Sequence, residues 1–364
     1  MLFRNERTWY RRKCDATGEQ ILAVFAPDKP YKVYKQDYWR SDAWDPLEYG
    51  RDYNSAVPFF RQFQELFIAI PHPNLIQKNQ VNSDYSNNTL NLKNCYYCIS
   101  VDTAEDSAYL AGLIMRAKNC LDLCHCIDSE YCYELVDCQK SNRLFFSQDC
   151  ESCLDSWFLY DCRGCSNCFG CVGLRNKQYY MFNQPLSKET YHEKIKELTQ
   201  SYESLQAARQ EFEKLKLEVP RKYANILNSE NAIGDDILNS RNVYRSFVVR
   251  NNVENVRHSF KVTESSHDGS DAYIAWKGAE MFYEVVSVSA QRVLCSAYIW
   301  GGFDIQYSYN CFDCNNIFGC IGLRNKSYCI FNKQYSKEEY KELVSKLIEH
   351  MNDLPYKDKT GRVY

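Results

Sequence analysis

A chain of 364 residues with 45% hydrophobic content is long enough to bury several cores, so two or three domains are expected. A formal net charge of −3 argues against a general nucleic-acid or membrane-surface binder, and no run approaches the ~20 apolar residues of a membrane span. The opening Met-Leu-Phe-Arg-Asn-Glu-Arg has no signal-peptide core, so nineteen cysteines are expected as reduced thiols in a cytoplasm.

In chain order, residues 1–55 read as a small α+β head, rich in Trp and Tyr and opening basic (Arg4, Arg7, Arg11, Arg12, Lys13). Turns at Thr17-Gly18-Glu19 and Asp28-Lys29-Pro30 flank an expected strand at 21–25, and another follows at 31–34. Residues 56–81 are an expected helical connector, with a helix over 58–70 stopped by Pro71 and Pro73.

From Ala108 to Leu174 every third residue is Ala, Cys, Ser, Ile or Leu, 23 positions in succession without a charge or a ring. A step of three drifts off the 3.6-residue face of a helix within a few turns, which excludes an amphipathic helix. Stepping by twelve gives an outer column of Tyr97, Tyr109, Leu121, Tyr133, Phe145, Trp157 and Phe169, beside an inner column of Cys126, Cys138, Cys150 and Cys162. The simplest object with both periods is a narrow parallel β-solenoid, or β-helix, whose coils each turn four small side chains inward. A wide coil of about 24 residues, built from two such units, is the rival geometry. This first solenoid is expected over 82–183.

The pattern then recurs. Residues 165–183 (CSNCFGCVGLRNKQYYMFN) and 314–332 (CNNIFGCIGLRNKSYCIFN) agree at 13 of 19 positions, offset by 149, and Asn82-Ser83-Asp84 returns as Asn228-Ser229-Glu230. A second solenoid is therefore expected over 223–332, its inner ladder running Ser287, Ala290, Val293, Ser296, Ile299, Gly302 and on in threes through Cys311, Cys314, Ile317 and Cys320 to Leu323. Apolar volume survives there where sulfur does not, so most cysteines read as small hydrophobes. Residues 184–222 are an expected helical linker, one long helix capped by Ser187 with Tyr191, Ile195, Leu198, Tyr202, Leu205, Phe212 and Leu215 on its apolar side. Residues 333–364 form a C-terminal helix and tail, begun by a Ser336/Glu339 capping box with Tyr340, Leu343, Leu347 and Met351 on one face. The expected fold class is mainly β: a duplicated parallel β-solenoid with capping α-helices that protect its open edges, and a small N-terminal α+β head.

The strings FRNERTWYRRKCDATGEQI, PDKPYKVY and WRSDAWDPLEYGRD, with the twice-used FGCxGLRNKxY, resemble a family of cysteine-rich proteins from uncultured, small-genome bacteria, over almost the full chain. Some members carry the label CaiB/BaiF. A CoA-transferase of that type needs strands and helices in alternation, which this pattern lacks. The resemblance implies an N-terminal zinc ribbon upstream of FRNER and a longer C-terminus, so the chain reads as a shortened member whose head is a zinc-ribbon remnant. Cys14, the single cysteine of the head, cannot hold a structural zinc by itself.

Several residue sets could carry function. Cys162, Cys165, Cys168 and Cys171 have a CxxCxxCxxC spacing compatible with zinc or an iron–sulfur cluster, but all four lie on the three-residue ladder, where packing explains them. Cys124-His125-Cys126 and Cys95-x-x-Cys98 are lesser metal candidates, and His72, His125, His192, His258, His267 and His350 show no nucleophile-base order. The rings Tyr97, Tyr109, Tyr133, Phe145, Trp157 and Phe169 could stack sugars or peptides of an extended ligand, or be covered by the 187–218 helix or the head. Asp137, Asp149 and Asp161 form an acidic column that could hold a cation or act on polysaccharide, stacked charges at a solvated turn being the simpler reading. Arg175 and Lys177, with Arg324 and Lys326, could receive an anionic partner, or pin each last coil to its helix through Glu189 or Glu338. The resulting expectation is a non-catalytic binding or scaffolding protein with a protein or extended-polymer partner and no cofactor. A metal- or redox-linked protein, or a polysaccharide-active β-helix, is the competing class.

Overall fold

The computed structural model describes residues 7–111, 115–118, 123–124, 127–130, 138–358 and 360–363, and the side chains of those outside 111–130. Five α-helices are described: α1 (Gln36–Arg40), α2 (Phe59–Ala69), α3 (Lys188–Leu198), α4 (Tyr202–Glu218) and α5 (Lys337–Asp353), with a short 3-10 helix at Pro46–Tyr49, and the rest of the regular structure is strand, most of it in parallel ladders. The described chain divides into two compact units, one made of 75–221 with 7–8, the other of 9–74 and 222–364.

In the unit built on 75–221, parallel pairs join residues twelve apart: Gln77 with Thr89, Leu90 with Asp102, Ser86 with Cys98, Leu154 with Ser166, and Ser166 with Gln178. The ladder thus begins at Gln77–Val81, inside the segment expected to be a helical connector. The backbone explains the period of three. Asn88, Asn91, Asn94, Tyr97, Ser100, Thr103, Asp106 and Tyr109 have φ between 50° and 59°, and from Lys140 to Asp161 every third residue lies between 47° and 55°. A left-handed residue bends the chain sharply, and Asn, Asp and Gly reach that region at least cost. Each bend is followed by an inward residue.

The inward file is buried: Leu92, Cys95, Cys98, Val101, Ala104 and Leu110, then Cys138, Leu144, Cys150, Cys153, Leu159 and the four cysteines 162, 165, 168 and 171. The file corrects the expected register. Ser107 and Leu110 point inward instead of Ala108, because Leu110 pairs with Leu123, thirteen residues on, where its neighbours pair at twelve. That extra residue shifts the phase by one. Inner Cys126 and outer Leu121 and Tyr133 lie outside the described residues.

Three inner serines are satisfied from rung to rung. The Ser141, Ser147 and Ser156 hydroxyls accept the backbone N–H of Cys153, Leu159 and Cys168 on the next rung (3.2, 3.1 and 3.0 Å). Each also donates to the carbonyl two residues back, at 2.7 to 3.0 Å. Inner thiols make that same backward bond, Cys162 to Tyr160 at 3.5 Å and Cys168 to Ser166 at 3.4 Å. Cysteine and serine therefore fill one structural role, which a buried backbone carbonyl favours.

The long helix expected after Ser187 is two helices. Ser187 caps α3 through Thr190 N–H (3.1 Å), but Ser201 starts α4 with a capping box of its own to Ser204, and Tyr202 is 73% exposed. Together they cover Phe158, Phe169, Val172 and Met181 with Tyr191, Ala208 and Phe212.

In the other unit, Tyr10–Lys13 pairs antiparallel with Gln20–Ala23, and Val33–Tyr34 pairs parallel with His72–Pro73. The parallel ladder of 226–330 is less regular. Register steps are eleven at Ile226 to Ile237, thirteen from Arg241 to Glu254 through Tyr273 to Val286, eleven at Val286 to Ala297, and twelve thereafter. The drop at 286 shifts the inner file, so Val285 and Val288 fill it and Ser287 does not. Ser287 is the left-handed residue (φ 53°), and its hydroxyl accepts Trp300 Nε1–H at 3.3 Å. From Ala290 to Leu323 the expected ladder is inside, apart from the half-exposed Gly302. Phe59 of α2 packs on Phe318 and Phe331 (centroids 5.3 and 5.1 Å), Trp39 of α1 on Phe312 (6.2 Å), and Ser336 with Glu339 boxes the start of α5.

Both ladders end alike. Gln178–Met181 folds back antiparallel on Gln184–Pro185, and Ser327–Ile330 on Lys333–Gln334. Asn183 and Asn332 each offer Oδ1 to a backbone N–H and Nδ2 to the carbonyl of the same residue, Val172 and Ile321, at 2.8 to 2.9 Å. Those bonds satisfy the last open edge, as an exposed strand requires.

Candidate functional site

The expected single aromatic column is two columns in different registers, a consequence of the thirteen-residue step. Phe145, Trp157 and Phe169 pair rung to rung, with Phe145 stacked on Trp157 at 4.3 Å, while Phe169 is fully buried beneath the helical cover. Tyr97 and Tyr109 sit instead at left-handed bends (φ 56° and 57°). They belong with Tyr85, twelve residues before Tyr97, and with Tyr96. Ring centroids are 5.3 Å for Tyr85 to Tyr96, 6.5 Å for Tyr96 to Tyr97, 5.7 Å for Tyr96 to Tyr109 and 6.0 Å for Tyr97 to Tyr109. All four are 38–48% exposed. One more twelve-residue step back from Tyr97 reaches Tyr85, so that residue was within reach of the sequence pattern. Tyr96 was not, because it falls off the column.

The cysteines are packed together. Cys138, Cys150, Cys153, Cys162, Cys165, Cys168 and Cys171 are free thiols, each at most 2% exposed. Burial, then contact with Cys138, pushes the Cys150 thiol well up, while hydrogen bonds from Cys153, Cys162 and Cys168 draw Cys165 down. At the other end of the file, a hydrogen bond from Cys98 draws Cys95 down to about 7. In the second ladder burial raises Cys311 and Cys320 well up and Cys314 to about 11. Among the described residues no group of three or more His, Cys, Asp or Glu side chains is disposed to hold a metal ion. The side chains of Cys124, His125 and Cys126 lie outside the described residues.

Asp149 and Asp161 occupy left-handed bends (φ 55° and 47°), which accounts for an acidic column without a cation, and Asp137 lies outside the described residues. Of the histidines, His72 is 1% exposed, and burial lowers it to about 4 despite its 2.7 Å bond to the Phe67 carbonyl. His258 is a bend residue, His267 pairs with Asp268 at 2.9 Å, His350 bonds the Tyr53 hydroxyl, and His192 is exposed.

The repeated Arg-Asn-Lys elements do not reach Glu189 or Glu338 as expected. Arg175 Nη2 donates to both carboxylate oxygens of Asp161 at 2.9 Å, one rung back. Arg324 donates to the carbonyls of Arg40 and Ser41. Lys177 lies over the Tyr180 ring at 5.8 Å, and Lys326 borders a cavity. For both arginines the nearer acceptor is on the chain course just passed, or on the head.

In comparisons with known proteins, no family model and no curated protein matches the chain. Among the described residues no helix is long and apolar enough to cross a membrane.

Proposed function

We propose that the chain is a non-catalytic binding or scaffolding protein made of two parallel β-solenoids, and that the first presents Tyr85, Tyr96, Tyr97 and Tyr109 to an extended polymer ligand. The solenoid reading is supported by the twelve-residue parallel register, the left-handed bend at every third residue and the continuous buried file. A register of twelve also favours the narrow coil over one of about 24. The carrying observation is the exposure of four neighbouring rings, 38–48% each, while Phe158 and Phe169 are used up in helix packing. Rings on successive rungs, about 4.8 Å apart, offer a run of exposed aromatic surface, tilted or edge-on ring to ring, which suits sugar or peptide units of a chain.

The proposal includes kinship with the cysteine-rich family, on the long motifs it shares, and a cytoplasmic location. It treats Cys162, Cys165, Cys168 and Cys171 as packed thiols, and stoichiometric zinc or iron in anaerobically purified protein would overturn that part. The test of the face is a glycan array and polysaccharide pull-down with the full chain. Tyr97→Ala and Tyr109→Ala are each expected to weaken capture roughly tenfold, whereas Trp157→Ala leaves it unchanged. Absence of any captured glycan, or capture indifferent to both tyrosine changes, refutes the reading.

A further inference from the structure

The duplicated Gly-Leu-Arg-Asn-Lys element is held by the same main-chain bonds in both repeats. In the first, the N–H groups of Arg163, Gly173 and Asn176 donate to the carbonyls of Leu174, Tyr160 and Arg163 at 2.9, 2.8 and 2.8 Å. In the second, those of Phe312, Gly322 and Asn325 donate to Leu323, Tyr309 and Phe312 at 2.9, 3.0 and 3.0 Å. The framework is common; the charges are not.

Asp161, fourteen residues before Arg175 and at φ 47°, neutralises it with both carboxylate oxygens. The matching residue fourteen before Arg324 is Asn310, at φ 56°, which brings no charge. Asn310 is 2% exposed and its Nδ2 has no hydrogen-bond partner among the described residues. Arg324 turns to two neutral carbonyls and lies over Trp39 at 5.5 Å. Two donations from five N–H groups leave three (5 − 2) without a protein acceptor among the described residues.

Arg324, Asn325 and Lys326 line a cavity of about 300 Å³ with Asp42, Trp44, Asp45 and Pro46. Asp45 directs Oδ1 to the Leu47 N–H at 2.9 Å, capping the short turn of Pro46–Tyr49. Burial, with repulsion from nearby Arg324 added, draws Arg40 down to about 10. The lining itself sets two cations, Arg324 and Lys326, against two carboxylates, Asp42 and Asp45, and Arg40 beside Arg324 adds a third cation from outside the lining, a modest positive bias that suits a monoanion better than a phosphate dianion.

We propose that this cavity binds a carboxylate carried by a small molecule, Arg324 donating to its oxygens as Arg175 does to Asp161, with Lys326 adding the second charge. The first repeat carries the counter-ion within its own sequence; the second takes it from solution. A planar guanidinium fork matches a carboxylate in geometry as well as charge. The site is independent of the tyrosine column, and Tyr97→Ala leaves it intact.

Calorimetric titration of the full chain with acetate, and with inorganic phosphate for comparison, tests this. One acetate per chain is expected, bound more tightly than phosphate. Asn310→Asp, which restores the internal carboxylate of the first repeat, should weaken acetate binding at least about tenfold. Lys326→Gln, a change to a half-exposed side chain, should weaken it several-fold and keeps the test alive if Asn310→Asp does not fold. No acetate uptake by the unaltered protein, unchanged affinity in a folded variant, or tighter binding of phosphate would each overturn the proposal.

Discussion

Single residues in this chain do work that their neighbours cannot. Gly302, at φ 96°, lies where an added Cβ would stand 1.8 Å from the Cys314 carbonyl oxygen. That atom is backbone and cannot swing away, so Gly302→Ala should cost at least ~3 kcal/mol in urea unfolding; a loss under 1 kcal/mol, on the order of an ordinary surface change, would contradict the close approach. His72 makes a different demand. Its folded pKa, lowered by burial to about 4, lies below the ~6.5 of an unfolded histidine, so the unfolded chain binds the extra proton between those values. Stability from this residue is whole above pH ~6.5 and is lost as pH falls toward 4, by roughly 3 kcal/mol in all. His72→Gln should remove that part of the acid sensitivity, read as the difference between variant and parent in unfolding midpoints at pH 7 and 4.5; equal slopes would refute it. Asn183 and Asn332 were visible in the sequence only as the last letters of a repeated string. Their role in closing the final rung depends on which backbone amide faces them.

At the scale of elements, the inner ladder is where burial, hydrogen bonding and thiol chemistry meet. Serine and cysteine both donate to the carbonyl two residues back, so the ladder accepts either, and apolar residues take the remaining places. Burial raises Cys150, Cys311 and Cys320 and keeps them protonated, and a protonated thiol is a poor nucleophile. Alkylation mapped by mass spectrometry should therefore leave these three unmodified in the native protein at neutral pH and modify them fully after denaturation. Native-state alkylation at the rate of an exposed thiol would show that the file is open to water. The helix expected as one piece from Ser187 breaks at Thr199–Ser201 because Ser201 and Ser204 satisfy each other's backbone N–H groups. A Ser/Ser box is a weaker sequence signal than the Ser336/Glu339 box that marked α5 correctly.

For the molecule as a whole, duplication is the organising fact, and the two copies have diverged at the bends, in register and in charge. The period of three and the repeated FGCxGLRNKxY string were sufficient to indicate parallel, cysteine-lined ladders and their ends, because local bend geometry recurs at each rung and stamps itself on the composition. The same residues did not reveal the thirteen-residue step after Leu110 or the fall from thirteen to eleven at Val286, since one inserted residue alters phase without altering composition. Nor did they reveal which rings are covered. Whether Phe169 is buried and Tyr97 exposed depends on where α3 and α4 lie, and whether Arg324 meets a carboxylate depends on a residue fourteen positions away and on the head. What the sequence alone determined is local and repeated: the bend, the inward small side chain, the caps. What only tertiary structure decided is which of the resulting surfaces remain open to a ligand, because burial and charge compensation are set by segments far apart along the chain.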